Sequence, residues 1–202
     1  MKFRTIDLLL LAALIAGASY YANHWLELKG PWHVAWKGSG VALLAAWAFA
    51  NGRPWIGVVL AFGALGDVLL DAVDLTTGAI AFMIGHIIAA GFYWRSRTSP
   101  WMVPAFIAVS VSLSSYLVSG DLGMAFYGFI LGIMAGTALT SGFAFATVGV
   151  GALLFVLSDL LIFSRFGPLA ASPLPGLLIW PTYFAAQALI AWGVVSGARK
   201  QA

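Results

Sequence analysis

Two aspartates stand inside long apolar runs. They are Asp67 in Gly63-Ala64-Leu65-Gly66-Asp67-Val68-Leu69-Leu70 and Asp159 in Val156-Leu157-Ser158-Asp159-Leu160-Leu161. A carboxyl is costly to hold in such surroundings, so each marks proton chemistry: acid–base work on a bound substrate, or a proton relay. Few other ionisable groups share the setting, namely Lys37, Asp71 and His86, and Tyr127, Tyr183 and Gln187 add neutral polarity. Asp71 lies on the helix face of Asp67, four residues on. Both Asp71 and Asp74 come at the end of their apolar run, where they mark the water boundary. Lys37 either snorkels outward or pairs with an aspartate. His86, taken alone, reads as a hydrogen-bonded packing histidine, and Gln187 as a joint between helices. The chemistry rests on Asp67 and Asp159, with Lys37, Asp71, His86, Tyr183 and Gln187 in support.

The elements that must position these groups follow from composition. Of 202 residues, 62% are hydrophobic and only 8% charged, with a mean hydropathy of +0.97. A soluble domain carries roughly 25% charged residues. An ordinary cytosolic enzyme, a disordered chain and a nucleic-acid binder are excluded, and an all-α integral membrane protein in a lipid bilayer remains. A pI near 9.4 reflects a net charge of only +3 and points to no polyanion partner. There is no cysteine, hence no disulfide and no thiol chemistry.

A transmembrane helix needs about 20 mainly apolar residues. Spans are predicted at 6–22, 33–50, 54–72, 77–94, 100–118, 121–139, 143–164 and 176–197. Together they form a single eight-helix transmembrane domain that leaves no room for a soluble one. Eight spans put both termini on one side, with Lys2, Arg4, Arg53, Arg95, Arg97, Arg199 and Lys200, while the opposite loops hold Lys29 and Arg165. Positive charge gathers on the cytoplasmic side, so both termini are expected there, in a bacterial plasma membrane. The charged, apolar opening resembles a cleavable signal peptide, but Asp7 interrupts it and an uncleaved first span is the better reading. Trp25, Trp32, Trp36, Trp55, Trp94, Trp101 and Trp180 fall near span ends, where an aromatic belt belongs.

At 1.5 Å per residue, Asp67 and Asp159 each lie about 7 Å below the outer ends of their helices. Lys37, Tyr183 and His86 lie roughly 6, 10 and 14 Å in along theirs. All share the outer half, as the walls of a polar cavity opening outward would. The likeness of the two aspartate segments, and of Phe82-x3-His86 to Tyr183-x3-Gln187, points to two parallel four-helix repeats facing one another.

Lys37, Gly66-Asp67, Phe82 with His86, Gly151-Ala152-Leu153-Leu154-Phe155 leading to Ser158-Asp159, and Tyr183-Phe184-x2-Gln187-x-Leu189-Ile190 occur in a telling order. With that order and spacing the chain resembles the YhhN family of multi-pass membrane proteins, which includes the lysoplasmalogenases, over nearly its whole length. It departs from the family pattern twice. Gly38 follows Lys37 where proline is usual, which bears on local helix geometry. Ala89 stands where a tyrosine is common, which takes a polar group from the expected cavity wall.

The resemblance implies hydrolysis of the vinyl ether bond of a lysoplasmalogen, a lyso-ether phospholipid, to a fatty aldehyde and a glycerophospho-ethanolamine or -choline. Neither metal nor cofactor is implied. Protonating the β-carbon of a vinyl ether gives an oxocarbenium ion that water traps. One carboxyl must supply the proton while another stabilises the cation or activates water, a division of labour also found in glycosidases. Asp159, with few charged neighbours along the chain, is expected as the acid, and Asp67, held by His86 or Lys37, as the base or cation stabiliser. The main alternative is a proton-coupled transporter relaying through Asp67, His86 and Asp159. A zinc amidase needs several converging ligands, but His24 and His33 belong to an outer loop. A serine protease needs a histidine near Ser158, and a purely structural protein leaves the aligned charges unexplained.

Overall fold

The computed structural model describes residues 5–199, with side chains over 8–197. Lys2, Arg4 and Lys200 of the charge tally lie outside the described residues, as do the side chains of Asp7 and Arg199. Among the described residues there are eight long helices and no strand. They are α1 (Thr5–Tyr20), α3 (Pro31–Ala50), α4 (Pro54–Ala72), α5 (Leu75–Trp94), α6 (Met102–Ser119), α7 (Leu122–Leu139), α8 (Val150–Ser164) and α9 (Leu174–Arg199). A four-residue α2 (Asn23–Leu26) sits in the first connection, and a π-helical turn, Phe145–Gly149, leads into α8.

Six of these are long and apolar enough to cross a membrane: α4, α5, α6, α7, the run Phe145–Ser164 and α9 over Leu174–Gly197. The eight-span expectation is therefore met only in part. α1 has 16 residues, and α3, although 20 residues long, is diluted by His33, Lys37, Ser39 and two glycines.

Local chemistry sets the boundaries. Pro31 and Pro54 begin α3 and α4, where a missing N–H costs nothing. Asp74 and Asp121 cap α5 and α7 by accepting the backbone N–H of Thr77 at 2.7 Å and of Met124 at 2.8 Å. The bonds from Thr77 hold the Asp74 carboxyl below the usual carboxylate range. Gly52 and Gly120 turn the chain with φ of 70° and 68°, a region that disfavours other residues.

Packing relies on small residues. On α7, Gly128, Gly132 and Gly136 form one stripe against α6: a Cβ at Gly128 would run into Ser115, and one at Gly132 or Gly136 would meet the Ala108 or Pro104 backbone at 2.6 or 2.7 Å. This is the small-xxx-small contact by which helices approach closely in lipid. Gly132→Ala must push the Ala108 backbone aside, and we expect a loss of about 2 kcal/mol, read as a lower melting temperature in detergent. Gly40 likewise lets α3 close on α1 at Gly17, with a Cβ clearance of 2.7 Å. Further contacts run α3 to α4, α4 to α5 and α8 to α9, while α5 against α7 and α3 against α9 join the first half of the chain to the second.

Arg53, Arg95 and Arg97 gather at one end of the bundle. The last turns of α4 and α8 and the first turns of α5 and α9 meet at the other.

Candidate functional site

At that second end lies a cavity of about 510 Å³. Asp67 on α4 and Asp159 on α8 both line it, each five residues before its helix ends and each at least 95% buried. Lys37, Asp71 and Tyr183 share the wall, so five of the seven expected residues converge on one space. His86 and Gln187 stand behind it, lining a second, small cavity of about 20 Å³. Phe82 lines both cavities and packs edge-on against Phe155 and Tyr183, with centroids 6.2 and 5.7 Å away. Gly66 exists for this ring, since a Cβ there would come within 2.5 Å of Phe82. Gly63 does the same for Gln187, whose Nε2 would lie 2.7 Å from a Cβ.

Each aspartate is held by a tyrosine, and each tyrosine by a further polar side chain. The Tyr183 hydroxyl donates to Asp67 Oδ2 at 2.8 Å, and Gln187 Nε2 donates to the Tyr183 oxygen at 3.1 Å. The Tyr127 hydroxyl donates to Asp159 Oδ2 at 2.9 Å, and His86 Nε2 lies 3.1 Å from the Tyr127 oxygen. With Tyr127 donating to Asp159, the proton between histidine and tyrosine sits on Nε2. The two arrangements match in form but differ in one respect. A histidine can exchange a proton with its tyrosine, whereas a glutamine cannot. All of these donors come from α5, α7 and α9, so neighbouring helices supply the hydrogen bonds that burial otherwise denies a carboxyl.

Several expectations are corrected here. His86 does not hold Asp67; it reaches Asp159 through Tyr127. Lys37 does not pair with Asp67 either. Its Nζ meets Asp71 Oδ1 at 2.9 Å, and His33 Nδ1 lies 3.7 Å from the other Asp71 oxygen. Asp71 is therefore more than a water-boundary residue, since it anchors the cavity's lysine with a side chain 26% exposed. Trp180 is no belt residue: it is 9% exposed, lines the cavity and donates its indole N–H to the Gly17 carbonyl at 2.8 Å. Trp25, Trp32, Trp55, Trp94 and Trp101 are exposed, as a belt requires. The Ser158 hydroxyl is occupied by the Ile179 carbonyl at 3.2 Å.

In the sequence Tyr127 counts only as neutral polarity and Arg165 only in the charge tally, and neither is placed in the site. Tyr127 was visible as a hydroxyl at the depth of the aspartates. Arg165, just beyond α8, lines the cavity mouth and makes no ion pair among the described residues. No three His, Asp or Glu side chains converge as metal ligands among the described residues.

The family model of the YhhN family matches residues 32–194. The chain belongs to the YhhN family. The match takes in α3 to α8, most of α9 and all seven expected site residues. Searches of curated proteins and of solved structures returned no match. The two departures of this YhhN-family protein from the usual pattern have structural counterparts. At Gly38 the helix runs on unbroken and a Cβ would meet Val68 at 2.8 Å, so glycine lets α3 lie close on α4. Ala89 faces the small inner cavity rather than the main one, beside Tyr93, whose hydroxyl is buried there without a partner.

Proposed function

We propose that this YhhN-family protein is a membrane-embedded hydrolase that cleaves the vinyl ether bond of a lysoplasmalogen. The observation that carries the reading is the pair of buried aspartates, each held by its own tyrosine, on the wall of one cavity. Family membership supports it.

Asp159 is the acid. It delivers its proton to the vinyl β-carbon, whose π-electrons form the new C–H bond, and the positive charge passes to the ether carbon and oxygen. Asp67 is the carboxylate that faces this cation. It takes a proton from water as the water oxygen bonds to the ether carbon, giving a hemiacetal. In the collapse, Asp67 returns that proton to the glyceryl oxygen as the C–O bond breaks, and Asp159 accepts the proton of the hemiacetal hydroxyl. Aldehyde and glycerophospho-alcohol leave, and both carboxyls are back in their starting forms. Tyr127 and His86 hold Asp159 in position and give its proton a route of exchange, while Tyr183 and Gln187 hold Asp67 without one.

The same cavity suits an amphiphile with one chain. Apolar residues such as Leu70, Ile162, Phe163 and Phe166 line the wall, and Arg165 stands at the mouth. Lys37 is engaged by Asp71, which leaves Arg165 for the substrate phosphate. Arg165→Gln is expected to raise KM about fivefold to tenfold with kcat almost unchanged, because a phosphate contact is equal in ground and transition states. Steady-state kinetics on a lyso-vinyl-ether lipid checks this.

All eight long helices cross the bilayer in this reading, with the arginine-rich end on the cytoplasmic side of a bacterial plasma membrane and the cavity opening outward. The two aspartate helices then belong to parallel repeats, in which α5 against α7 corresponds to α9 against α3. A proton-coupled transporter is the rival. Purified protein in detergent releasing aldehyde from a lysoplasmalogen supports the hydrolase, since transport needs a sealed membrane. Substrate-dependent proton movement in vesicles with no aldehyde in detergent would establish the rival instead.

A further inference from the structure

The arginine-rich end holds a cavity of its own, about 620 Å³, between the turn from α3 to α4, the end of α5, the loop before the π-helical turn, and α9. Its volume is within the range of small-molecule sites. It has two chemistries. Among the described residues Arg53 is the one ionised side chain on its wall, and the Arg53 Nε is buried with no hydrogen-bond partner. Trp55, also on the wall, carries the Arg95 guanidinium 5.2 Å from its ring centroid. Phe92, Phe143 and Val194 make the other side apolar.

The charge around it is one-sided. Of the seven acidic residues, Glu27, Asp67, Asp71, Asp74, Asp121 and Asp159 all stand toward the opposite end, and the side chain of Asp7 is not among those described. A buried guanidinium N–H with no partner normally costs free energy, and among the described residues no carboxylate on the wall relieves it. The cavity is also braced. Thr98 N–H donates to the Thr140 carbonyl and Gly142 N–H to the Ser96 carbonyl, both at 2.8 Å, so the loops after α5 and α7 are stitched together across its rim.

We propose that this cavity binds an anionic phospholipid of the surrounding leaflet, with the phosphodiester at Arg53 and an acyl chain along Phe92, Phe143 and Val194. Basic pockets between transmembrane helices take such head groups, and a free phosphate has no use for the apolar side. The site lies at the far end of the bundle from the aspartates and stands whether or not they hydrolyse a vinyl ether.

The test is lipid retention by the purified full chain, read by native mass spectrometry after titration with phosphatidylglycerol or phosphatidylcholine. The wild type should keep one phosphatidylglycerol in preference to phosphatidylcholine. Arg53→Gln should weaken that retention about fivefold or more. Gly197→Leu provides a second variant on the same wall, since among the described residues a Cβ there meets Phe143 alone, at a comfortable 3.8 Å, and a leucine adds bulk to the lining. It should displace the lipid while leaving the arginine in place. Equal retention of the two lipids, unchanged phosphatidylglycerol binding in both variants, or displacement by glycerol phosphate at the same concentration would overturn the proposal, the last by making it a free-phosphate site.

Discussion

Asp159→Asn is expected to lower aldehyde release by about 100-fold or more, the usual scale of a lost general acid. Asparagine keeps the volume of the side chain, and its carbonyl oxygen still accepts the Tyr127 hydroxyl that Asp159 accepts at 2.9 Å. The fold is therefore retained, and a melting temperature close to the wild type is part of the expected result. What is lost is a proton that can be given to carbon. Hydronium can deliver it instead, because vinyl ethers are acid-labile, so the residual activity of the variant should climb as pH falls and the gap to wild type should narrow. A variant with wild-type turnover removes Asp159 from the reaction. Tyr127→Phe should show a milder loss, since it leaves the acid in place and removes only its support and its link to His86.

Asp67→Asn is expected to cost a similar factor of about 100, but through kcat rather than KM. In the proposed reaction the carboxylate faces a positive charge that exists only near the transition state, so a neutral amide should withhold stabilisation there and leave substrate binding almost untouched. Asparagine at 67 still accepts from Tyr183, and the neighbouring Lys37–Asp71 pair at 2.9 Å does not depend on it. The double variant should fall well short of the product of the two single losses, as residues acting in one reaction do. Losses that multiply in full would separate the two aspartates into independent roles. Turnover measured over a range of substrate concentrations for the three variants decides both points.

Much of this site was legible from charge and depth alone. Asp67, Asp71, Lys37, Asp159 and Tyr183 meet because helices running in opposite directions place their polar residues at one level, and 1.5 Å per residue suffices to work that out. Partner choice was not legible. Whether Lys37 reaches Asp67 or Asp71 depends on how α3 is rotated against α4, and an apolar sequence without a clear amphipathic face does not encode that rotation. Gly38 bears on it through the close approach of α3 to Val68 on α4. Tyr127 was missed for the same reason: its hydroxyl gains a role only because α7 lies between α5 and α8, within reach of both His86 and Asp159.

The helix boundaries were legible to within about two residues, at α8 only when its π-helical lead-in from Phe145 is counted, because capping and turn residues are local signals, as at Pro31, Asp74 and Asp121. The stripe Gly128, Gly132, Gly136 was equally visible in sequence, but it marks a contact without naming the partner helix. α1 and α3 show the limit of a composition argument. Both are helices in the bundle, yet one is short and the other carries the polar residues that the cavity needs, so neither looks like a membrane span by length and composition.

The most direct test of the two-aspartate account is to run the purified protein on a lyso-vinyl-ether lipid in heavy water, trap the aldehyde at once, and weigh it. Protonation of the β-carbon places one deuteron on the carbon next to the aldehyde carbonyl, at a rate that collapses in Asp159→Asn. An aldehyde with no deuterium there, deuterated aldehyde formed equally fast by Asp159→Asn, or no aldehyde from the wild type, would contradict it.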